Sequence, residues 1–311
     1  MIFEEAYTLT NRVQIPKLAL GTWLIKGAAA KDAVKNAIEI GYRHIDTAQA
    51  YGNEEEVGNG IRESGIRRDD IFITSKVAAE NKSYASALES IDTSLKTAKL
   101  DFIDLMLIHS PQPWVEVNQS DNRYFEENKE VWRAMETALK AGKIRAIGIS
   151  NFYADRMVDF AAFNRIKPMV NQMETHIFNQ QKELKKWADK YEIHLEAWGP
   201  FGEGRQGIFE NPVVGEIAQK YNKTAAQVML RWNIQRGVIV IPKSTHIERM
   251  EENFNVFDFS LADEDMSKIS DLDKKESAFF SHNDPAMVEW FVGMVETRNH
   301  NDDCSKEKKN W

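Results

Sequence analysis

The chain has few of the residues that staple secreted proteins or cross membranes. Its 311 residues include one cysteine, Cys304, so no intrachain disulfide can form, and this fits a reducing compartment. No apolar run approaches the roughly 20 residues of a membrane span, and the first residues lack the basic and apolar regions of a signal peptide. We therefore expect a cytoplasmic protein with no membrane partner.

Positive charge is also in the minority. Lysine and arginine number 40 against 48 acidic residues, which gives a net charge of −8 at pH 7. Because no segment is dominated by basic residues, the composition argues against a nucleic-acid partner or an anionic-membrane surface. The apolar and charged fractions, 42% and 28%, are typical of a soluble globular protein.

Short apolar segments alternate with amphipathic helical patterns through most of the chain. The strand candidates are Leu18–Gly21, Tyr42–Asp46, Ile71–Lys76, Phe102–His109, Ile144–Ile149, Met169–Met173, Ile193–Ala197 and Val238–Ile241. The helical patterns are Ala28–Ile40, Glu54–Ser64, Tyr84–Leu100, Val131–Ala141, Gln181–Lys190, Asn211–Asn222, Thr224–Gln235, Ile247–Asn253 and Ala262–Leu272. This alternation indicates a parallel sheet with right-handed crossovers. Eight such units without a linker favour an α/β fold, a closed (β/α)8 TIM barrel, over an open doubly wound sheet.

The two ends of the chain depart from the repeating unit. Tyr7–Pro16 predicts an N-terminal hairpin. The extra helices near the C-terminus include one over Met287–Thr297, which Asp284-Pro285 would begin. We predict a single domain over residues 1–298 and a polar, flexible tail over 299–311.

Four ionisable residues fall at or just past the ends of successive strand candidates. Asp46 and Tyr51 follow the second, Lys76 ends the third and His109 ends the fourth. Since strand ends of a barrel face one shared mouth, these side chains should converge there. Each residue alone also has a structural interpretation, and it is the combination that indicates a reaction centre.

The four side chains suit proton donation to a carbonyl oxygen. A free tyrosine titrates at about pH 10, and an ammonium within hydrogen-bond reach, such as Lys76, should lower the pKa of Tyr51. Asp46 can hold Lys76 in place, and His109 can donate a hydrogen bond to the oxygen as negative charge develops. None of the four forms a covalent intermediate, so a cofactor must supply the hydride or other reactant.

Two segments are candidates for a nucleotide site. The string Gly202-Glu203-Gly204-Arg205-Gln206-Gly207 matches the dinucleotide fingerprint, but no helix follows it directly, so we interpret it as a glycine-rich loop. The segment after the last strand offers Lys243, Ser244 and Arg249, two cations and a hydroxyl that suit a 2′-phosphate. A solvated basic turn is the alternative interpretation.

Seven motifs occur in order at the predicted strand ends. They are Gly21-Thr22-Trp23, Asp46-Thr47-Ala48 with Tyr51-Gly52, Ser75-Lys76, Leu107-Ile108-His109, Gly148-Ile149-Ser150-Asn151-Phe152, Asn171-Gln172 and Ile241-Pro242-Lys243-Ser244. Over essentially the whole chain they resemble the aldo-keto reductase family. Tryptophan in Trp198-Gly199-Pro200-Phe201 resembles the bacterial 2,5-diketogluconate reductase and prostaglandin-F-synthase-like branch.

The resemblance implies an NADPH-dependent reductase with Asp46, Tyr51, Lys76 and His109 as its catalytic tetrad and Tyr51 as general acid. It implies cofactor contacts from Gly21, Thr22 and Trp23, and a nicotinamide whose carboxamide is bound by Ser150, Asn151 and Gln172 and whose ring stacks on Trp198. It implies that the pyrophosphate is bound by Gly199, Pro200, Phe201 and Gly202. The 2′-phosphate would be bound by Lys243, Ser244, Thr245 and Arg249, and the adenine by Asn253.

An aromatic pocket is expected around the substrate. Its predicted lining is Trp23, Tyr51, His109, Trp114 and Phe201, with Phe279–Phe291 folding over it. Such a pocket suits small aldehydes, α-dicarbonyls, sugar-derived carbonyls such as 2,5-diketogluconate, and compact aromatic carbonyls. No cluster of cations is evident there, and we expect the protein to be a monomer.

Two other functions are alternatives to this one. A regulatory barrel could bind NADPH without turnover, as channel β-subunits related to the family do, but it should carry an apolar patch or a tail for its partner. A metal-dependent hydrolase or isomerase would need clustered ligands at the strand ends. His44 lies within its strand and His109 has no second histidine nearby in the chain, so we predict no metal.

Overall fold

The computed structural model describes residues 4–116 and 122–279. An antiparallel hairpin, β1 (Ala6–Thr8) and β2 (Gln14–Pro16), precedes a parallel eight-stranded sheet. The strands of that sheet are β3 (Leu20–Gly21), β4 (His44–Asp46), β5 (Phe72–Val77), β6 (Ile103–Ile108), β7 (Ile144–Ser150), β8 (Val170–Glu174), β9 (His194–Trp198) and β10 (Val238–Val240).

The sheet curls until its first and last strands meet. The eight strands lie in chain order from β3 to β10. The amide of Ala19 donates to Val240 O at 2.9 Å, and the amide of Val240 donates to Lys17 O at 3.0 Å. Leu18 forms a parallel bridge with Val240. These bonds close the (β/α)8 barrel that the alternating pattern predicts.

Helices cover the outside of the barrel and bury their apolar faces against it. They are α1 (Ala28–Ile40), α2 (Glu54–Glu63), α3 (Tyr84–Ala98), α4 (Phe125–Lys140), α5 (Ala154–Phe163), α6 (Lys182–Lys190), α7 (Pro212–Tyr221), α8 (Ala225–Gln235), α9 (Ile247–Phe254) and α10 (Asp263–Ser270). Gly58 allows α2 to approach α3 closely, because a Cβ there would overlap the carbonyl oxygen of Ala98. None of the described helices is long and apolar enough to span a membrane.

Most predicted elements agree with the structure to within two residues, and two do not. Helix α4 begins at Phe125 rather than at the predicted Val131. The prediction missed its first residues because they are mostly polar and carry little apolar periodicity. Helix α5 was not predicted. The predicted helix Met287–Thr297 and the tail 299–311 lie outside the described residues.

Candidate active site

A deep cleft opens at the C-terminal ends of the barrel strands, where a TIM barrel places its chemistry. Its volume is about 1430 Å³. It is lined by three of the four tetrad residues, Asp46, Tyr51 and His109, and by every predicted substrate-binding residue. The fourth tetrad residue, Lys76, is fully buried directly beneath it. Strands β4, β5 and β6 therefore bring the four side chains together as their spacing predicts.

Lys76 is the centre of the tetrad's hydrogen bonds. Its Nζ donates to both carboxylate oxygens of Asp46 at 2.8 Å and to Thr47 O at 2.9 Å. It also lies 3.3 Å from the Tyr51 hydroxyl. Because both Asp46 and Lys76 are buried, their opposite charges compensate each other in an interior that would otherwise penalise either one.

Burial and neighbouring charges together set the protonation states at this centre. Burial alone would lower the pKa of Lys76, but Asp46, Tyr51 and Glu196 outweigh it and raise that pKa, so the lysine stays charged. Burial likewise raises the pKa of Tyr51, and the Lys76 ammonium opposes this without reversing it. We expected Lys76 to lower the pKa of Tyr51 below that of free tyrosine, but burial has the larger effect and raises it. Tyr51 thus keeps its proton at neutral pH, as a general acid must.

Aromatic rings surround the tyrosine hydroxyl. The rings of Tyr51 and His109 meet edge to face with their centroids 5.7 Å apart, and His109 meets Trp114 in the same way at 5.4 Å. His109 is only 8% exposed, and Trp23 also lines the cleft. A carbonyl carbon in this pocket would be enclosed by the rings of Tyr51, His109 and Trp114.

A network of side-chain amides lies beside the tetrad. Asn151 Nδ2 donates to His109 O at 2.9 Å, and its Oδ1 accepts from Trp198 Nε1 at 3.0 Å. Ser150 Oγ donates to the backbone oxygen of Gln172 at 2.9 Å. Ser150, Asn151, Gln172 and Trp198 all line the cleft. They are thereby held rigidly in the region where the resemblance implies the nicotinamide.

The far part of the cleft carries basic and polar groups from the segment after β10 and from α9. Lys243, Ser244, Arg249 and Asn253 all line it. Neither Lys243 nor Arg249 forms an ion pair within the described part of the chain, so both cations are available to an anion. Ser244 Oγ accepts from the amide of His246 at 3.0 Å, which shapes the turn into α9.

Most of the remaining predicted cofactor residues, Gly21, Trp23, Gly199, Pro200 and Phe201, also line the cleft, and three do not. Thr22 is fully buried, and its hydroxyl donates to Asp46 O at 2.9 Å, which fixes the end of β4. Gly202 is buried behind the cleft wall, and Thr245 is exposed beside it. The string Gly202–Gly207 is a loop of mixed backbone conformation after β9, as predicted, and helix α7 begins only at Pro212.

One wall of the cleft comes from a segment that sequence reasoning placed only approximately. Ser277 Oγ donates to Glu174 Oε2 at 2.6 Å, and the amide of Ala278 donates to Glu174 Oε1 at 2.7 Å. The ring of Phe279 then lies 5.1 Å from that of Trp198. A Cβ on Gly199, whose φ is +59°, would be 3.0 Å from the Phe279 ring, so glycine is required there. Residues 280–291 of the predicted cover lie outside the described residues.

Two further arginines line the cleft that the sequence argument left out. Arg156 is on the first turn of α5, a helix that was not predicted, and its guanidinium donates to Arg123 O at 3.3 Å. Arg205 belongs to the glycine-rich loop, and its guanidinium lies 5.1 Å from the Phe279 ring centroid. The sequence alone indicated neither arginine, because Arg156 belongs to a helix that was not predicted and Arg205 to a loop whose place beside the cleft depends on the fold.

Comparison with known proteins identifies the family to which the chain belongs. The model of the aldo/keto reductase family matches residues 17–274. A glyoxal reductase of Bacillus subtilis is 44% identical over 88% of this chain and 94% of its own length. A 9,11-endoperoxide prostaglandin H2 reductase of Trypanosoma cruzi is 43% identical over 86% of this chain and 91% of its own length.

A solved structure gives the same result for the fold. A Bombyx mori aldo-keto reductase, determined in complex with NADP, superposes with a TM-score of 0.81 at 32% identity, covering 90% of this chain and 96% of that one. The eight-stranded barrel, the buried tetrad and these likenesses agree with one another. The chain belongs to the aldo/keto reductase family and is an oxidoreductase.

Proposed function

We propose that this protein is a monomeric, cytoplasmic, NADPH-dependent reductase of small aldehydes and ketones, with Tyr51 as the proton donor. The observation that carries the proposal is the buried Asp46–Lys76 pair with Lys76 Nζ 3.3 Å from the Tyr51 hydroxyl. NADPH, when bound, supplies the hydride that reaches the carbonyl carbon.

The protein's own residues handle the oxygen of the substrate. His109 and Tyr51 orient the carbonyl by hydrogen bonds to its oxygen. As negative charge develops there, Tyr51 transfers its proton to that oxygen, and the Lys76 ammonium stabilises the phenolate that remains. Asp46 keeps Lys76 in position with two bonds of 2.8 Å. The surrounding rings exclude water from this step.

The residues of the cleft fit NADPH. Lys243 and Arg249, which form no ion pair with any described residue, supply two cations for a 2′-phosphate, which a guanidinium can bind with two parallel hydrogen bonds. Asn151 and Gln172 present fixed amides for a carboxamide, and the indole of Trp198 gives a ring face for stacking. The Bombyx mori structure, solved with NADP, supports the same assignment.

The proposed substrates are compact carbonyl compounds, chiefly aldehydes and α-dicarbonyls. Trp23, Tyr51, His109 and Trp114 enclose the reacting end of the cleft, which suits a small molecule. One relative is named a glyoxal reductase and another a prostaglandin H2 reductase, so compact dicarbonyls and bulkier oxygenated lipids both belong in a substrate panel. Sugar-derived dicarbonyls such as 2,5-diketogluconate and aromatic aldehydes complete it.

The first experiment follows NADPH oxidation by absorbance with glyoxal, methylglyoxal, aromatic aldehydes and diketones, and repeats each assay with NADH. Turnover that favours NADPH supports the proposal and ranks the substrates. Tight NADPH binding with no turnover on any carbonyl would instead identify a regulatory barrel. Turnover that favours NADH would contradict the cofactor assignment.

A further inference from the structure

A second carboxyl group lies inside the barrel, below the tetrad. Glu196 is on β9 and is 0% exposed. Its Oε2 accepts a hydrogen bond from Gln172 Nε2 at 2.8 Å, whereas its Oε1 has no hydrogen-bond partner among the described residues. A buried carboxyl group with one oxygen unsatisfied costs stability, so its presence calls for another explanation.

Gln172 connects this carboxyl group to the reaction centre. The same Nε2 that donates to Glu196 also donates to Asp46 Oδ2 at 2.8 Å. An amide nitrogen has two hydrogens, and both are used. The two carboxyl groups therefore fix which way the amide faces, because only the nitrogen side can meet two acceptors. Gln172 is among the residues that line the cleft, and its amide oxygen is left for a ligand.

The charges around Glu196 agree with a positioning role. Lys76 is the cation that faces it, and Asp46 already neutralises that lysine. His44 Nε2 lies 3.7 Å from Glu196 Oε1 and is bonded to Thr74 Oγ1 at 2.8 Å, and burial lowers the pKa of His44 to about 3, so the ring is neutral. Burial and Asp46 raise the pKa of Glu196 to about 8, so it accepts from Gln172 as a neutral acid at pH 7.

We propose that Glu196 is a positioning residue that holds the Gln172 amide with its oxygen towards the cleft, ready to accept a hydrogen bond from the nicotinamide carboxamide. Glu196 does not touch the cofactor itself and acts only through Gln172. This inference rests on the proposed function, since it needs NADPH in the cleft.

Two substitutions separate the hydrogen bond from the charge. Glu196→Gln keeps an oxygen that can accept from Gln172 and removes the ionisable group. Glu196→Leu has a similar volume and removes the acceptor. Thr74→Val is the matched control, because it deletes a buried hydrogen bond in the same interior without touching Gln172. The measurements are the NADPH dissociation constant by quenching of protein fluorescence, kcat and KM for glyoxal, and the melting temperature.

The expected result is that Glu196→Leu binds NADPH about tenfold more weakly, as the loss of one oriented hydrogen bond predicts, while its melting temperature stays equal or rises. Glu196→Gln and Thr74→Val should bind NADPH as the unmodified protein does. Unchanged affinity in Glu196→Leu would overturn the proposal. Equal losses in both Glu196 variants would also overturn it, since the acceptor would then be irrelevant, and so would a loss of affinity that accompanies a fall in melting temperature.

Assays of the unmodified protein distinguish a failure of the proposed function from a failure of the role assigned to Glu196. If it binds NADPH and reduces a carbonyl compound, only the role of Glu196 is at stake in the variants. If it neither binds NADPH nor turns over any carbonyl compound, the proposed function fails, and the role of Glu196 fails with it.

Discussion

In the proposed mechanism, the tetrad lets a buried tyrosine act as an acid near neutral pH. Burial raises the pKa of Tyr51, and Lys76 acts against that rise from 3.3 Å away. In the proposed reaction, the ammonium therefore matters most after the proton has left, when it faces a phenolate. Asp46 keeps Lys76 charged and fixed, so the stabilisation is available without any rearrangement.

Replacing Tyr51 by phenylalanine tests the proton donor. The change removes one hydroxyl and leaves the ring against His109, so the pocket should keep its shape. We expect kcat to fall by about 10²–10⁴-fold, the range of general acid catalysis, with little change in NADPH affinity. Steady-state kinetics and fluorescence titration measure the two quantities. A variant with near-normal turnover would show that another group donates the proton.

Replacing Arg249 by alanine tests the 2′-phosphate site. The guanidinium lines the cleft at the start of α9, and a charge-assisted hydrogen bond to phosphate contributes about 1.5–3 kcal/mol. NADPH affinity should therefore fall by about 10- to 100-fold, and NADH affinity should change little. Arg133→Ala is the control, because Arg133 pairs with Glu130 on α4 and does not line the cleft. Equal losses for both cofactors would refute the assignment.

At the scale of single elements, helix α7 shows most clearly how local sequence sets the start of a helix. The side chain of Asn211 accepts hydrogen bonds from the amides of Val213 and Val214 at 3.1 and 3.2 Å, and Pro212 occupies the first helical position. These are the preferences of a helix N-terminus. In the middle of the same helix, a Cβ added at Gly215 would meet nothing within 4 Å.

Two substitutions in α7 should shift stability in opposite directions. Asn211→Ala removes the cap and should lower the free energy of unfolding by about 1 kcal/mol. Gly215→Ala adds no clash and should raise it by about 0.5–1 kcal/mol, because alanine loses less backbone entropy in a helix. Denaturant unfolding followed by circular dichroism measures both. Changes of the same sign would show that packing, not helix propensity, governs this element.

At the scale of the whole molecule, the barrel interior holds ionisable groups that the unfolded chain would expose to water. Burial lowers the pKa of His44 to about 3 and, with Asp46, raises that of Glu196 to about 8. For Glu196 the folded protein keeps a proton between about pH 4.5 and pH 8, where the unfolded chain has lost it. Stability from this group therefore falls as pH rises through that interval.

Glu196→Gln should reveal this linkage as a difference between two pH profiles. The variant should gain stability relative to the unmodified protein as pH rises from about 4.5 to about 8, by up to about 5 kcal/mol in all, and the difference should then level off. Urea unfolding at several pH values measures it, and groups such as His44 cancel in the comparison. A difference that does not change with pH would mean that Glu196 titrates normally.

The sequence by itself determined the barrel and predicted which side chains would meet at its mouth. Alternating strand and helix patterns are local, and polar residues at three successive strand ends identify Asp46, Tyr51, Lys76 and His109 before any fold is known. A parallel barrel brings strand ends to one mouth whatever the lengths of its loops. The tetrad could therefore be predicted from order along the chain, and the structure confirms that these side chains meet.

Only the tertiary structure decided which other residues share that mouth. Glu174 meets Ser277 across 103 residues of chain, and Gln172 joins Asp46 across 126. No local pattern distinguishes Glu196 or Arg156 from charged residues at the surface. Their environments depend on burial and on partners that are distant in sequence, and both are set by how the barrel closes.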